Sequence, residues 1–240
     1  MIEYLAQTGS TNADLAARLR AGGFVPEGHW LVADRQTAGR GRQGREWFDG
    51  AGNFMGSTVV HQRFGDPAAA TLALVAGLAV HEAVAARLPA GVEARLKWPN
   101  DVLVGTAKLA GILLERAADS VVIGIGVNLA SAPSLADRQA VSLAGFGAVP
   151  DRDAFAADLV RLFDSELDRW RSFGTGPIVK RWLAAAHPPG TPLVAGEPGE
   201  VPVKGRFVGL AEDGALQLRL ADGTLRVIHA GEVRLDTQQP

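Results

Sequence analysis

Cysteine is absent from the chain. That excludes disulfides, zinc–thiolate centres and any mechanism that passes through an enzyme thioester. An excess of charge is also missing. Over 240 residues, 24 lysines and arginines face 26 acids, a formal net charge of -2, so nothing global favours a nucleic-acid or membrane surface as partner. The longest apolar run, Ala68 to Ala86, is alanine-rich and broken by His81 and Glu82, which suits a buried helix better than a membrane span. Met1-Ile2-Glu3-Tyr4 has neither the basic nor the apolar region of a secretory signal, and the expectation is a cytoplasmic protein. There is no internal repeat and no low-complexity tract. GxxxxGK[ST] and GxSxG do not occur, and the five histidines (His29, His61, His81, His187, His229) show no metal spacing.

What the chain does have is length for one good-sized domain, or one plus a small appendage, and 47% apolar residues with which to bury a proper core. Gly9-Ser10-Thr11-Asn12 supplies N-caps to a helix repeating Leu15, Ala16 and Leu19 and stopped at Gly22-Gly23. One cap would suffice, so the extra polar side chains are candidates to face a ligand. Strands are expected over 30–34, 53–60, 92–98, 102–104, 108–115 and 120–129, with a buried helix over 69–88. Residues 131–150 read as loop. Helices follow from Asp151 or Asp153 to Trp170 and from Pro177 to Ala186. After His187-Pro188-Pro189-Gly190 only short strands remain, separated by turns at Glu212-Asp213-Gly214 and Asp222-Gly223. The fold class is α+β, a mixed sheet covered by helices, with domains over 1–187 and 188–240. The second is expected as a small β-barrel leaning on the first, because so small an all-β unit is marginal alone.

The segment between the first two of those strands reads DRQTAGRGRQGREW, from Asp34 to Trp47. From Arg35 to Arg45 it holds four arginines and three glycines and no acid. Glycines bring backbone N–H groups close to a bound group, and guanidinium forks pair with carboxylate or phosphate. Such a cluster repels itself unless something negative sits among it. A solvated basic turn is the ordinary alternative, but Trp47 and Phe48 need something to pack on. Gly39, Gly41 and Gly44 match GxGxxG literally, yet arginines intervene and no helix follows at once, so a dinucleotide fold is not implied.

Polar groups interrupt apolar strands in the same half of the chain. Lys97, Asn100 and Asp101 crowd a strand end, Lys108 opens an apolar strand and Asn128 ends another. A lone lysine at a strand start is usually exposed and idle. The set as a whole gathers negative oxygens, Asn100 and Asp101 are candidate Mg²⁺ ligands, and Gly124 and Gly126 clear space for a flat ligand. That inventory suits attack by a weak nucleophile on a nucleoside triphosphate, chemistry made mostly of positioning and charge neutralisation.

Ser10-Thr11-Asn12, QTAGRGRQGREW from Gln36, KWPND from Lys97, KLAGILLE from Lys108 and GIGVNL from Gly124, in that order, resemble the biotin protein ligases. The resemblance covers essentially the whole chain, and the β tail is similar to the family's C-terminal SH3-like barrel. It implies two half-reactions. Biotin and MgATP give biotinyl-5′-AMP and pyrophosphate, and the acyl group then passes to a lysine of a biotin carboxyl carrier domain. Ser10, Thr11, Asn12 and Gln36 are then expected around the ureido head. Gly39, Arg40, Gly41 and Arg42 would form the loop over the carboxylate and the acyl phosphate, with Gly111 lining the biotin site. Lys108 would neutralise carboxylate and α-phosphate oxygens. Lys97, Asn100 and Asp101 would arrange phosphates and Mg²⁺, with Asp101 available to assist the incoming lysine. Asn128 is implied on the adenine or phosphate side. Trp47 is implied either against the nucleotide or as a buttress of the loop. Some family members carry an N-terminal helix-turn-helix, for which the nine residues before Ser10 leave no room, so no nucleic-acid partner is expected. The carrier is expected at a sheet edge, which is equally open to a second copy of the chain. A lipoate–protein ligase and a non-catalytic biotin-binding module are the rival readings.

Overall fold

The computed structural model describes residues 1–135, 139–196 and 201–236. The main sheet has seven strands: β1 (Ile2–Leu5), β2 (Trp30–Ala33), β3 (Phe54–His61), β4 (Ala94–Lys97), β5 (Asp101–Val104), β6 (Ala107–Ala117) and β7 (Ser120–Val127). Their order is β1-β2-β3-β7-β6-β5-β4. β1 pairs parallel with β2, while the neighbouring pairs from β2 onward are antiparallel. β1 is a strand the sequence reading did not mark, since its four residues carry no turn signal that bounds them. The remaining strands fall where apolar runs and glycine turns place them, with Gly105-Thr106 turning β5 into β6.

Helix α1 (Thr11–Arg20) lies on one face. Ser10 caps it, its hydroxyl accepting from the Ala13 N–H, and Arg18 and Arg20 stand in its last turn where the helix dipole favours cations. Its Leu15 and Ala16 close a small cluster with Leu31, Val59 and Val122. The other face carries α2 (Leu72–Ala85), α3 (Arg152–Phe173) and α4 (Thr175–Ala185). α2 is shorter than the expected 69–88, because a 3₁₀ turn over Ala69–Thr71 precedes it. Asp151 caps α3 by accepting from the Ala154 N–H at 2.7 Å. In the buried layer the Trp170 indole donates to Thr71 Oγ1 at 2.7 Å. The loop expected over 131–150 contains a 3₁₀ turn at Leu143–Gly145; its residues 136–138 lie outside the described ones.

After His187 come β8 (Pro192–Gly196), β9 (Val203–Leu210), β10 (Leu216–Arg219), β11 (Leu225–Ile228) and β12 (Glu232–Leu235). They form an antiparallel sheet ordered β11-β10-β9-β8-β12. Among the described residues this ladder does not close on itself, so the expected barrel is seen as a five-stranded sheet. Residues 197–200 and 237–240 of the second expected domain lie outside the described ones. Leu193, Ala195, Phe207, Leu216, Leu218 and Val233 of the small sheet share one buried cluster with α2 and α4. The Trp98 indole also donates to the Gly214 carbonyl at 3.0 Å. Apolar burial therefore runs continuously across the expected boundary, which is how so small a sheet is stabilised. Among the described residues no helix is long and apolar enough to cross a membrane.

Candidate active site

Side chains alternate across a strand, and directly paired residues of antiparallel neighbours share a face. The register therefore lays out the α1 face of the sheet as rows. One row pairs Ser57 of β3 with Gly124 of β7, and Gly124 with Leu113 of β6. The next runs Met55, Gly126, Gly111 and Asp101 across four strands. Glycines thus form the floor in the middle of both rows. They are required there: a Cβ on Gly124 would stand 2.9 Å from Asn12 Cγ, and one on Gly126 2.6 Å from Trp47 Nε1.

Over the first row sits a polar pit. Asn12 Nδ2 donates to Glu115 Oε2 at 2.7 Å, and Ser57 Oγ donates to Asn12 Oδ1 at 2.6 Å. Ser57 Oγ also lies 2.7 Å from Thr11 Oγ1. Gln36 Oε1 accepts from the Thr11 N–H at 2.7 Å and stands 3.0 Å from Thr11 Oγ1. Ser10, Thr11, Asn12, Gln36 and Ser57 are all buried, so each of these bonds replaces water that the groups have lost.

Over the second row sits a cation cluster. Lys97 Nζ lies 2.8 Å from one Asp101 oxygen and Lys108 Nζ 2.6 Å from the other. Lys97 also donates to the Val233 carbonyl at 2.6 Å. Burial alone would push the Asp101 carboxyl up, but the two ammonium groups override it and hold it well below the usual carboxylate range. Lys108 Nζ stands 5.6 Å from the centre of the Trp47 ring, which itself covers Gly126 and, at 3.1 Å from a Cβ built there, Gly111. The Trp47 indole N–H is buried and has no hydrogen-bond partner among the described residues.

The arginine loop closes over this floor. It turns at Gln43 (φ 57°) and Gly44 (φ 71°), and Trp47 N–H donates to the Gly39 carbonyl at 3.0 Å. Its charges find protein acceptors that the segment itself does not contain. Arg35 pairs with Asp49 at 2.6 Å, Arg45 pairs with Glu232, and Arg42 donates to the Gly231 carbonyl at 3.2 Å. Arg40 is exposed. The self-repulsion expected of an empty loop is thus met by acids from elsewhere in the chain.

Most residues singled out from the sequence meet on this face. Gly39 and Gly41 shape the loop, the former packed against Gln36 and Trp47. Asn128 is turned inward, with its Nδ2 donating to the Val141 carbonyl at 3.1 Å and its Oδ1 buried without a hydrogen-bond partner among the described residues. Asn100 Nδ2 donates to the Ile112 carbonyl at 2.7 Å. The pairing of Asn100 and Asp101 for a protein-held Mg²⁺ does not fit this geometry, because two ammonium groups already occupy the carboxylate. Among the described residues no group of three or more His, Asp or Glu side chains could hold a metal. Sequence reasoning missed Ser57 and Glu115. Ser57 lies within an apolar strand and Glu115 closes KLAGILLE, so a polar side chain in a central strand was the available signal.

The sequence pattern of the biotin/lipoate A/B protein ligase family matches residues 6–128, and that of the biotin protein ligase C terminal domain matches residues 195–236. The chain is 41% identical to the biotin–[acetyl-CoA-carboxylase] ligase of Paracoccus denitrificans, over 95% of this chain and 98% of that one. It is 39% identical to the protein of the same name from Mycobacterium tuberculosis, over 97% and 88%. Among solved structures it is similar to the biotin protein ligase from Aquifex aeolicus in complex with biotin and ATP, with a TM-score of 0.86, 27% identity and coverage of 98% and 99%.

Proposed function

This chain belongs to the biotin/lipoate A/B protein ligase family, and we propose that its polar pit and cation cluster activate and transfer biotin. It is an ATP-dependent biotin–[acetyl-CoA-carboxylase] ligase, the activity carried by relatives that align over nearly its whole length. ATP, with the Mg²⁺ that accompanies it, and biotin are its small-molecule reactants.

One observation carries the assignment of residues: pit and cations lie on a single glycine-floored face, in adjacent rows. Two residues along β7 and two strand spacings separate Gly124 from Asp101, roughly 12 Å on ordinary sheet dimensions. A bicyclic urea with an extended valeryl chain spans such a length. The ureido head belongs in the pit with Ser10, Thr11, Asn12 and Gln36, and the carboxylate then reaches Lys108 beneath the loop of Gly39, Arg40, Gly41 and Arg42. Its oxygen attacks the α-phosphorus of ATP, the bond to the β-phosphate oxygen breaks and pyrophosphate leaves. Lys108, Arg40 and Arg42 neutralise the oxygens that carry the developing charge, and Lys97 serves the departing phosphates. Asp101 holds both lysines apart and in place, and in the second step the same carboxylate takes the proton of the incoming lysine. Trp47 gives the nucleotide a flat surface. Asn128 and Asn100 act from behind, Asn128 by tying the end of β7 to Val141 and Asn100 by fixing the middle of β6 at Ile112. In the second step the carrier's lysine nitrogen attacks the acyl carbon and AMP departs. The loop keeps water from the mixed anhydride meanwhile.

Residues 1–187 are the catalytic part and 188–240 the appended domain, whose sheet, among the described residues, contributes Gly231, Glu232 and Val233 to the rim. The carrier domain docks by strand pairing at a sheet edge, the same surface open to a second copy. The reaction is placed in the cytoplasm, where ATP and carboxylases meet. Incubation with biotin, ATP and a biotin carboxyl carrier domain, read by intact mass, tests the proposal. One biotinyl group should be added to the carrier. Addition of lipoate instead, or stabilisation by biotin with no pyrophosphate formed, would move the chain to one of the rival readings.

A further inference from the structure

Ser57 and Glu115 lie in the pit, and no motif reading gave either a part in it. We infer that Glu115 is a positioning residue that sets the hydrogen-bond polarity of the pit, and through it the recognition of a cyclic urea. This rests on the pit being the site of the ureido head.

Asn12 is held against Gly124, whose missing side chain leaves room for the amide. An amide of this kind can present nitrogen or oxygen to either neighbour. An ionised carboxylate can only accept, so Glu115 draws Asn12 Nδ2 to itself at 2.7 Å and sends Oδ1 toward β3. Ser57 has a single hydroxyl proton and gives it to Asn12 Oδ1 at 2.6 Å. Its oxygen can then only accept, so the Thr11 hydroxyl, 2.7 Å away, turns its one proton to Ser57 rather than to Gln36 Oε1 at 3.0 Å. At the far end the Thr11 N–H claims Gln36 Oε1 at 2.7 Å. That leaves Gln36 Nε2 on the side of Gly39, 3.1 Å from where a Cβ there would stand, as a donor for a carbonyl oxygen. A carboxylate on β6 thus orders the donors and acceptors along β3 and α1. Without it the Asn12 amide can lie either way round, and half of the resulting patterns oppose a urea's carbonyl and N–H groups.

The test compares wild type with Glu115→Ala, Glu115→Gln and Glu115→Lys in biotin-dependent ATP–pyrophosphate exchange, with ligand-free thermal melting alongside. Gln can turn either its oxygen or its nitrogen to Asn12, so its KM for biotin should lie between those of wild type and Ala. Ala should raise KM for biotin by about ten- to hundredfold, the range for losing a hydrogen bond to a charged group, and leave kcat and KM for ATP unchanged. Lys offers only donors, forces the amide round, and should raise it further. A biotin KM for Glu115→Ala within about twofold of wild type on that same scale overturns the inference. So does a Gln variant as impaired as Ala, or a joint loss of kcat, both KM values and melting temperature, which marks a merely structural group. If wild type itself shows no biotin-dependent exchange, the parent assignment fails, and the two failures are told apart.

Discussion

Replacing Asp101 by Asn removes the carboxylate that bridges Lys97 and Lys108 while keeping its shape. The contacts are 2.8 and 2.6 Å, and the side chains of Lys97, Asp101 and Lys108 are 14, 13 and 22% exposed. At an effective dielectric constant of about 20, unit charges at these separations attract by roughly 6 kcal/mol per pair before desolvation is counted. Burial of the carboxylate opposes that gain, and breaking a buried pair by removing one partner typically costs about 3–5 kcal/mol. Partial exposure lowers the figure, so Asp101→Asn should lose about 2–3 kcal/mol of stability at neutral pH. Urea unfolding of ligand-free protein measures this as a shift of midpoint at constant slope. The folded-state carboxyl lies below its ordinary value. Its stabilisation is therefore fully present above the unfolded pKa of about 4 and drains away as pH falls through the lower folded value. The gap between wild type and variant should accordingly be widest near neutrality and narrow in strong acid. Lys97→Met in the Asp101→Asn background should restore part of the loss, since it removes a buried charge that Asp101 had balanced. A variant within about 0.5 kcal/mol of wild type at neutral pH, the ordinary scatter of surface substitutions, would refute the view that the carboxylate is what lets two ammonium groups share this floor.

Gly126→Ala should drive the Trp47 ring off the glycine floor, costing about 1–3 kcal/mol and raising KM for ATP more than KM for biotin; unchanged KM for ATP would detach the indole from nucleotide binding. Lys108→Ala should slow biotin-dependent pyrophosphate release by about 10²–10³-fold, the loss typical of one oxyanion donor, and an unaltered rate refutes its role in neutralising the reacting oxygens. Arg42→Gly should form adenylate more slowly but let it escape, so that free biotinyl-AMP accumulates; quantifying it per turnover decides the matter, and no rise over wild type removes the shielding role of the loop.

Much of the molecule is written locally. The Ser10 cap, the glycines ending α1 and α3, the apolar character of α2 and the turn residues between strands act over a few neighbours, and a reading of the sequence recovers their elements within a few residues. The chemically active segments are also legible, because arginine and glycine in one run or lysine at the head of an apolar strand are conspicuous by type. Register is not written that way. That Gly126, Gly111 and Asp101 stand in one row, or that Asn12 meets Glu115 across 103 positions, depends on which strands pair and with what offset, and pairing free energy is shared among many residues. For the same reason Glu232, which settles Arg45 of the loop from 187 positions away, was invisible beside it, and β1 emerged only through its partner β2. The chain's residues determined what chemistry was available; long-range packing decided which of those groups face one another.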